Sequence, residues 1–534
     1  MSGSTMVHPR DLLASALACH ALCACAEGPA PESPRRPDVI LVVVDTLRAD
    51  YADPRSRKAE LPNLARFAED AVLFPRAFAH APMTLPSHAS LFSSRAPTSS
   101  GVVVNDQGVA LGLPLLAEWL RDHGWRNQAV VSLATLWPLG RNQGLDRGFE
   151  EFAPGASPPE GTSPIADAAT VGREVTRALD ALDSAGAGEP CFLFAHYAEP
   201  HEPYEVHGPH ADPPSEAELL WNGAALATLR TSEWAERRFE VALAPGENRL
   251  EIRSAVPFKV RALEFRADGR ELPATIASPG LLEETRELTA VVVAPGRSPD
   301  GSPAGRARLH LWLHDVPSVE QMPARYRGEA EAADRAFGEL VATLRARGRY
   351  DDSLIVFTSD HGEALGERGL IGHVAHLHDE LLHVPLLIKL PRGPAGERGR
   401  AALERAKLDL ARLVDVAPTI LDALGLPPLP GAEGESLFAP GDRVLVAATS
   451  APEAPRTLLA LRDLRTKLVF DVEAGSFTMY DLANDPGETV DVFPTTGSRK
   501  QPWQERLRVL ASGLGRENGP VEAARRERLR ALGY

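Results

Sequence analysis

Apolar positions along this chain fall into two alternating textures. Uninterrupted runs such as Val39-Ile40-Leu41-Val42-Val43-Val44 carry no polar residue on either face and read as strands buried on both sides. Between them, apolar residues recur every three or four positions, as on a helix packed against a sheet. Strands are predicted at 39 to 44, 128 to 132, 191 to 196 and 354 to 358, and helices at 61 to 71, 86 to 94, 115 to 120, 165 to 183 and 326 to 347. The last helix places Ala330, Ala333, Phe337, Leu340 and Leu344 on one stripe. Strand and helix in alternation predict an α/β layered domain around a largely parallel sheet.

The texture changes at residues 211 to 315, where short alternating segments such as Arg238-Phe239-Glu240-Val241-Ala242-Leu243 and Arg249-Leu250-Glu251-Ile252-Arg253 are separated by Gly-containing turns. Even spacing of short strands predicts an inserted all-β sandwich. Trp221, Trp234 and Trp312 fit its core as well as they fit a sugar platform. Further on, a helix is predicted near 404 to 424, strands at 458 to 461 and 467 to 470, and a basic terminal helix at 519 to 532 with Arg525, Arg526, Arg528 and Arg530 on a solvated face. The expected organisation is a leader and tether over 1–36, a catalytic domain over 37–210 and 316–442, the inserted module over 211–315 and a C-terminal subdomain over 443–534.

A chain of 534 residues exceeds what one hydrophobic core organises. The net charge of −16, without a basic cluster, excludes nucleic acid as the expected partner. Cys19, Cys23 and Cys25 lie in the leader and leave Cys191 alone in the folded part, so no internal disulfide framework is expected. The apolar run from Leu12 to Ala26 follows a single arginine and is too short to span a membrane. It suits a signal peptide, and Leu22-Cys23-Ala24-Cys25 resembles a bacterial lipoprotein cleavage box that would place lipid on Cys25. The expectation is an exported, periplasmic or cell-envelope lipoprotein, with membrane attachment through Cys25 and oligomeric state left open.

Two of the apolar runs end in candidate chemistry. The strand at 39 to 44 runs into Asp45, and the strand at 354 to 358 runs into Ser359-Asp360-His361. Parallel strands gather their carboxyl ends at one edge of a sheet, which brings these residues together with Thr84, the hydroxyl heading the helix of Thr84-Leu85-Pro86-Ser87-His88. Hard oxygen ligands with one imidazole suit one divalent cation, whether Ca, Mn, Mg or Zn, and a metal-bound hydroxyl becomes a nucleophile as its pKa falls. Asp45, Thr84, Asp360 and His361 form the expected metal set, with Thr84 as nucleophile; a helix-capping role is the simpler alternative for Thr84.

The order of Val44-Asp45-Thr46-Leu47-Arg48-Ala49-Asp50, Thr84 to Leu91, Pro200-His201-Glu202-Pro203-Tyr204, Ser359-Asp360-His361-Gly362-Glu363, His383-Val384-Pro385-Leu386, Val414-Asp415-Val416-Ala417-Pro418 and Met479-Tyr480-Asp481-Leu482 resembles the sulfatase family of the alkaline phosphatase superfamily. The resemblance implies an alkaline-phosphatase-like three-layer α/β/α sandwich with an inserted all-β module and a small C-terminal α+β subdomain. It also implies roles for His201 at the ester or leaving group and for His373 facing the same pocket. His376 and His378 stay open, His383 resembles a structural position, Asp50 is expected to be structural, and His314 with Asp315 is a weaker second metal set.

The chain departs from the family where the chemistry is decided. The family oxidises Cys or Ser at the position of Thr84 to formylglycine and needs arginine where His88 stands; threonine cannot give that aldehyde, so formylglycine is not expected. Thr46 replaces a second carboxylate, His361 replaces an asparagine in a combination similar to phosphonate monoester hydrolases, and a Gly-Lys-Trp-His segment is absent around 128 to 140. A threonine ester must be hydrolysed by attack at the central atom, which favours phosphorus over sulfur. The reading is a metal-dependent hydrolase of sulfate or of phosphate and phosphonate esters, acting on a small-molecule or glycan ester. The alternatives are an inactive sulfatase-like binding protein and a phospho-group transferase acting on an exported glycan or lipid.

Overall fold

The computed structural model describes residues 36–514 except 106, 134, 137–143, 155–165, 185–188, 203, 205–215, 231–236, 268–269, 277–283, 295–304, 374–375, 452–455 and 497–499. The leader with Cys25, Trp234, the side chains of Trp312 and His314, and the predicted helix 519 to 532 lie outside the described residues.

Five strands organise the main sheet: β1 (Val39–Val44), β2 (Arg126–Val131), β3 (Cys191–Tyr197), β4 (Leu354–Thr358) and β5 (Leu386–Lys389). The sheet order is Val72–Leu73, β5, β4, β1, β3, β2 and Glu151–Pro154, with β4, β1, β3 and β2 parallel and β5 antiparallel to β4. Every residue of β1, β3 and β4 is buried, as strands covered on both faces require. One face packs α1 (Thr84–Ser93) through Leu85, Ala89 and Phe92, and the other packs α2 (Ala168–Ser184) and α3 (Met322–Ala346) through Val171, Leu179, Phe337 and Leu340. That is a three-layer α/β/α sandwich. Cys191 is a free, buried core thiol.

The predicted helix at 404 to 424 is two helices, Pro394–Ala406 and Val416–Ala423. Between them Ala411–Arg412 pairs in parallel with Ala77–Phe78, and Asp415 accepts from the Arg412 backbone N–H at 3.0 Å and its guanidinium at 2.7 Å. A tertiary strand pairing outweighs local helix propensity here.

Residues 216–315 build an eight-stranded antiparallel sheet around the 22-residue strand Gly246–Ala267. Its first half pairs with Thr285–Ala294 and Glu216–Trp221, and its second half with Arg306–Asp315 and Arg270–Leu272, with register shifts after Arg253 and Val260. Both halves share one apolar core containing Ile252, Phe258, Phe265, Val292 and Leu309. Trp221 belongs to that core, its indole N–H donating to Ala242 O at 2.8 Å. Asp315 closes the module by a bidentate pair with Arg325 of α3, both contacts at 2.8 Å, so its carboxylate is spent on an ion pair and is not a metal ligand.

At the C-terminal end Leu445–Ala451, Arg456–Arg462, Thr466–Asp471 and Ser476–Asp481 form a four-stranded antiparallel sheet on which the helix Gln501–Gly513 packs through Leu507. Among the described residues no helix is long and apolar enough to cross a membrane.

Candidate active site

Strand register explains how the site assembles. Val43 pairs with Thr358 on one side and with His196 on the other. Two residues beyond Val43 and Thr358 stand Asp45 and Asp360, which therefore leave the sheet edge level with one another, while His196 points into the pocket from within β3. Thr46, next in the chain, adopts φ 55°, a left-handed conformation unfavourable for a β-branched residue. It is held there from both ends: the Tyr326 hydroxyl donates to Thr46 O at 2.6 Å and accepts from Arg48 N at 2.8 Å. The turn so fixed aims Thr46 N at Asp360 Oδ1, 3.2 Å away. Gly362 has no alternative, because a Cβ there would lie 2.1 Å from Glu380 O.

Thr84 is the first residue of α1, is completely buried, and donates from Oγ1 to Asp45 Oδ2 over 3.5 Å. His361 Nε2 lies 3.8 Å from Asp45 Oδ1 and 3.5 Å from Asp360 Oδ2. His361 Nδ1 lies 2.9 Å from Gly362 O, which makes Nδ1 the protonated nitrogen and leaves a lone pair on Nε2. The structure thus brings Asp45, Thr84, Asp360 and His361 to one point. Around it are His88, whose Nδ1 is 2.7 Å from Thr84 O and 3.6 Å from Asp360 Oδ2, and His196, whose Nε2 is 3.2 Å from Asp45 Oδ2 and whose Nδ1 is 2.8 Å from Ser132 Oγ.

Burial raises Asp45 above the ordinary carboxylate range against the pull of His201, His88 and His373, and burial together with the Asp45 charge raises Asp360 well above it. Burial also pushes His361 well down and His88 and His196 down to about 3, so all three are neutral. Asp45 Oδ1, Asp360 Oδ2 and His361 Nε2 have no hydrogen-bond partner, although all three are buried. Their ligand atoms lie within 4.8 Å of one another. Converging, unsatisfied carboxylate and imidazole atoms of this kind fit a divalent cation.

His201 and His373 stand at the outer side, with ring centroids 5.1 Å apart and His373 4.7 Å from His361. Burial drives His201 down to about 4, against the Asp45 charge. Burial acts likewise on His373, but Glu363 Oε1 at 3.0 Å from Nδ1 overcomes it and holds His373 above its ordinary value. The remaining candidates lie elsewhere. Asp50 pairs with Arg48 and Lys58, His383 stacks on Phe78 and lies 2.9 Å from Pro75 O, His378 faces Glu488 at 3.4 Å, and His376 faces Glu380 at 4.0 Å.

Sequence reasoning overlooked His196 and Glu363. A polar side chain inside the double-faced apolar run Phe192-Leu193-Phe194-Ala195-His196-Tyr197 was the available signal for the first, since such a strand offers an imidazole no exit to solvent.

A parallel sheet whose carboxyl edge gathers acid and imidazole groups in front of a helix-borne hydroxyl defines an alkaline-phosphatase-like α/β protein. The chain belongs to the sulfatase family, whose model matches residues 37–426. It is 36% identical over 124 residues to the multifunctional alkaline phosphatase superfamily protein PehA of Trinickia caryophylli, a match spanning 23% of either chain, and 25% identical over 494 residues to the steryl-sulfatase of Mus musculus, covering 82% of this chain and 69% of that one. The fold is similar to that of the phosphonate monoester hydrolase of Agrobacterium radiobacter, with a TM-score of 0.57, 21% identity and coverage of 89% of this chain and 96% of that one.

Proposed function

We propose that this protein is a metal-dependent hydrolase of sulfate or phosphorus esters, with Thr84 as nucleophile and Asp45, Thr84, Asp360 and His361 holding one divalent cation. The observation that carries this reading is the buried Thr84 hydroxyl, 3.5 Å from Asp45 Oδ2, facing carboxylate and imidazole atoms that have no partner. When bound, the cation supplies a lower hydroxyl pKa and positive charge opposite the nonbridging oxygens. Thr84 Oγ1 then bonds to the central atom as its proton passes to Asp45, and the bond to the leaving oxygen breaks. The donor to that oxygen must hold a proton at working pH. His373, 3.0 Å from Glu363 Oε1 and held above its ordinary value by that carboxylate, suits that role, whereas burial pushes His201 down, which suits it to orienting the ester. In the second half water attacks the central atom, gives its proton to the neutral His373, and Thr84 leaves with the proton held by Asp45.

Attack at the central atom in both halves favours phosphorus over sulfur, because a threonine ester has no elimination route of the kind a formylglycine hydrate offers. The resemblance to a phosphonate monoester hydrolase and to a multifunctional relative agrees with that preference. The substrate body is a small-molecule or glycan ester, and the 211–315 module, read as a separate domain, is the part of the chain free to shape its binding. Export with lipid on Cys25 belongs to the same proposal.

The test is a side-by-side assay of metal-reconstituted protein on nitrophenyl sulfate, nitrophenyl phosphate, phenylphosphonate and a phosphodiester. Thr84→Ala should lower turnover by about 10³-fold or more. Turnover of the sulfate ester alone would overturn the preference for phosphorus, and activity surviving in Thr84→Ala would remove Thr84 as the nucleophile.

A further inference from the structure

We propose that the cleft between α2 and α3 binds a small zwitterion, a molecule carrying an ammonium group together with a carboxylate or sulfonate. Facing positions on the two helices recur in step, four residues apart on each, which keeps them on one face. In the row nearest the C-terminal ends, Arg347 closes the gap with an ion pair to Asp180 at 2.6 Å. One turn back stand Thr176 and Thr343, whose hydroxyls donate within their own helices, to Gly172 O at 2.9 Å and to Glu339 O at 2.8 Å, and so do not bridge the gap. One turn further back Gly172 faces Glu339, and a Cβ added at Gly172 would still lie 3.9 Å from Glu339 Oε2. The helices are thus tied at one end and held apart at the other, around a cleft of about 290 Å³. That is room for a small metabolite and too little for a polymer.

Three groups give the cleft its chemistry. Tyr197 lines it, is completely buried, and has a hydroxyl without a hydrogen-bond partner. Burial, with the charges of Glu199 and Glu339, pushes that phenol above its ordinary range, so it keeps its proton and can donate. Buried hydroxyls are otherwise partnered, and an unused one beside a cleft marks a contact for a ligand. Glu339 on α3 and Arg173 on α2 border the same cleft with opposite charges, and among the described residues they form no ion pair with each other. Arg173 spends one donor on Thr170 Oγ1 at 2.7 Å. A molecule with both charges satisfies both walls through charge-assisted hydrogen bonds and takes a third bond from Tyr197, whereas a simple cation or anion satisfies one wall. The cleft is separate from the candidate active site, because Tyr197 and His196 are neighbours in β3 and point to opposite faces of the sheet. The two are joined through the backbone: Tyr197 O accepts from Asp45 N at 2.9 Å.

The experiment is calorimetric titration of the full chain with glycine, γ-aminobutyrate and taurine, with butyrate and butylamine as carriers of one charge each. The expected result is one site per chain for at least one zwitterion at millimolar concentration, with both single-charge analogues weaker by about tenfold or more. Tyr197→Phe, Glu339→Gln and Arg173→Gln should each weaken that binding by about tenfold. No heat with any of the three zwitterions, or binding that is unchanged in Tyr197→Phe and Glu339→Gln, would overturn the proposal. Equal affinity for butylamine or butyrate would overturn it too, by making the cleft a site for a single charge. Glu339 and Arg173 are exposed, so their variants decide the matter even if Tyr197→Phe fails to fold.

Discussion

Lys467 and Asp45 are both completely buried, yet their surroundings follow opposite rules. Lys467 Nζ meets Asp379 Oδ1 and Glu488 Oε1 at 2.6 Å each and Leu377 O at 2.8 Å, while Arg462 Nη2 meets Asp379 Oδ2 at 2.9 Å. Two cations face two carboxylates, and although burial works against its charge, Asp379 is held well below the ordinary carboxylate range by Lys467 and Arg462. That cluster ties the strand Thr466–Asp471 to the turn Asp379–Leu382 and is complete within the chain. At Asp45 and Asp360 two carboxylates meet neutral imidazoles, and both are pushed up. Equal burial therefore separates a joint that balances its own charge from a pocket that, on the proposed reading, takes its balance from a bound cation.

The contrast can be broken most strongly at the joint. Lys467→Met leaves Asp379 and Glu488 facing each other with half their positive charge removed, and should cost about 3–5 kcal/mol in urea denaturation. At the pocket, adding cation to chelator-treated protein should raise stability by about 2.7 kcal/mol at a hundred times Kd, read as a rise in Tm, and should do nothing for Asp360→Asn. That variant itself is expected to move in the direction opposite to Lys467→Met: without metal it removes a carboxylate from beside Asp45 and should gain about 1–2 kcal/mol, while calorimetric titration shows no ion uptake.

The smallest effect concerns a third buried carboxylate. Glu199 accepts from Ala168 N at 2.6 Å, and burial with the nearby Glu329 pushes it up from 4.5 to about 8. The folded chain keeps that proton after the unfolded chain has lost it, so this group makes stability fall as pH rises from about 4.5 to about 8. Glu199→Gln should flatten that slope and gain on the order of 1 kcal/mol at pH 8, measured by denaturation across the pH range. An unchanged slope would show that Glu199 is charged in the fold.

The legible parts of the site were those written along one segment. Apolar runs ending in Asp45 and Asp360 announce both a strand and the edge where it stops, and Thr84 stands at a helix head that a Pro-containing sequence marks. What depended on neighbours in space was hidden. His196 sits inside a strand whose apolar pattern it barely disturbs, and Glu363 matters only because His373 lies beside it. The same limit broke the helix predicted over 404 to 424: nothing near Ala411 signals that Ala77 is its partner. Fold class survived these gaps because it rests on the alternation of elements, which no single long-range pairing controls.

The position of β1 has a consequence for biogenesis. It lies between β3 and β4, strands whose residues paired to Val43 are His196 and Thr358. As the chain leaves the ribosome, Asp45 and Thr84 emerge long before Asp360 and His361, and the whole 216–315 sheet is synthesised in between. Loop-closure entropy must be met before such a distant strand can dock. On the proposed reading, the Thr84 hydroxyl therefore spends most of synthesis disarmed, and becomes competent only in a chain that has completed its central sheet.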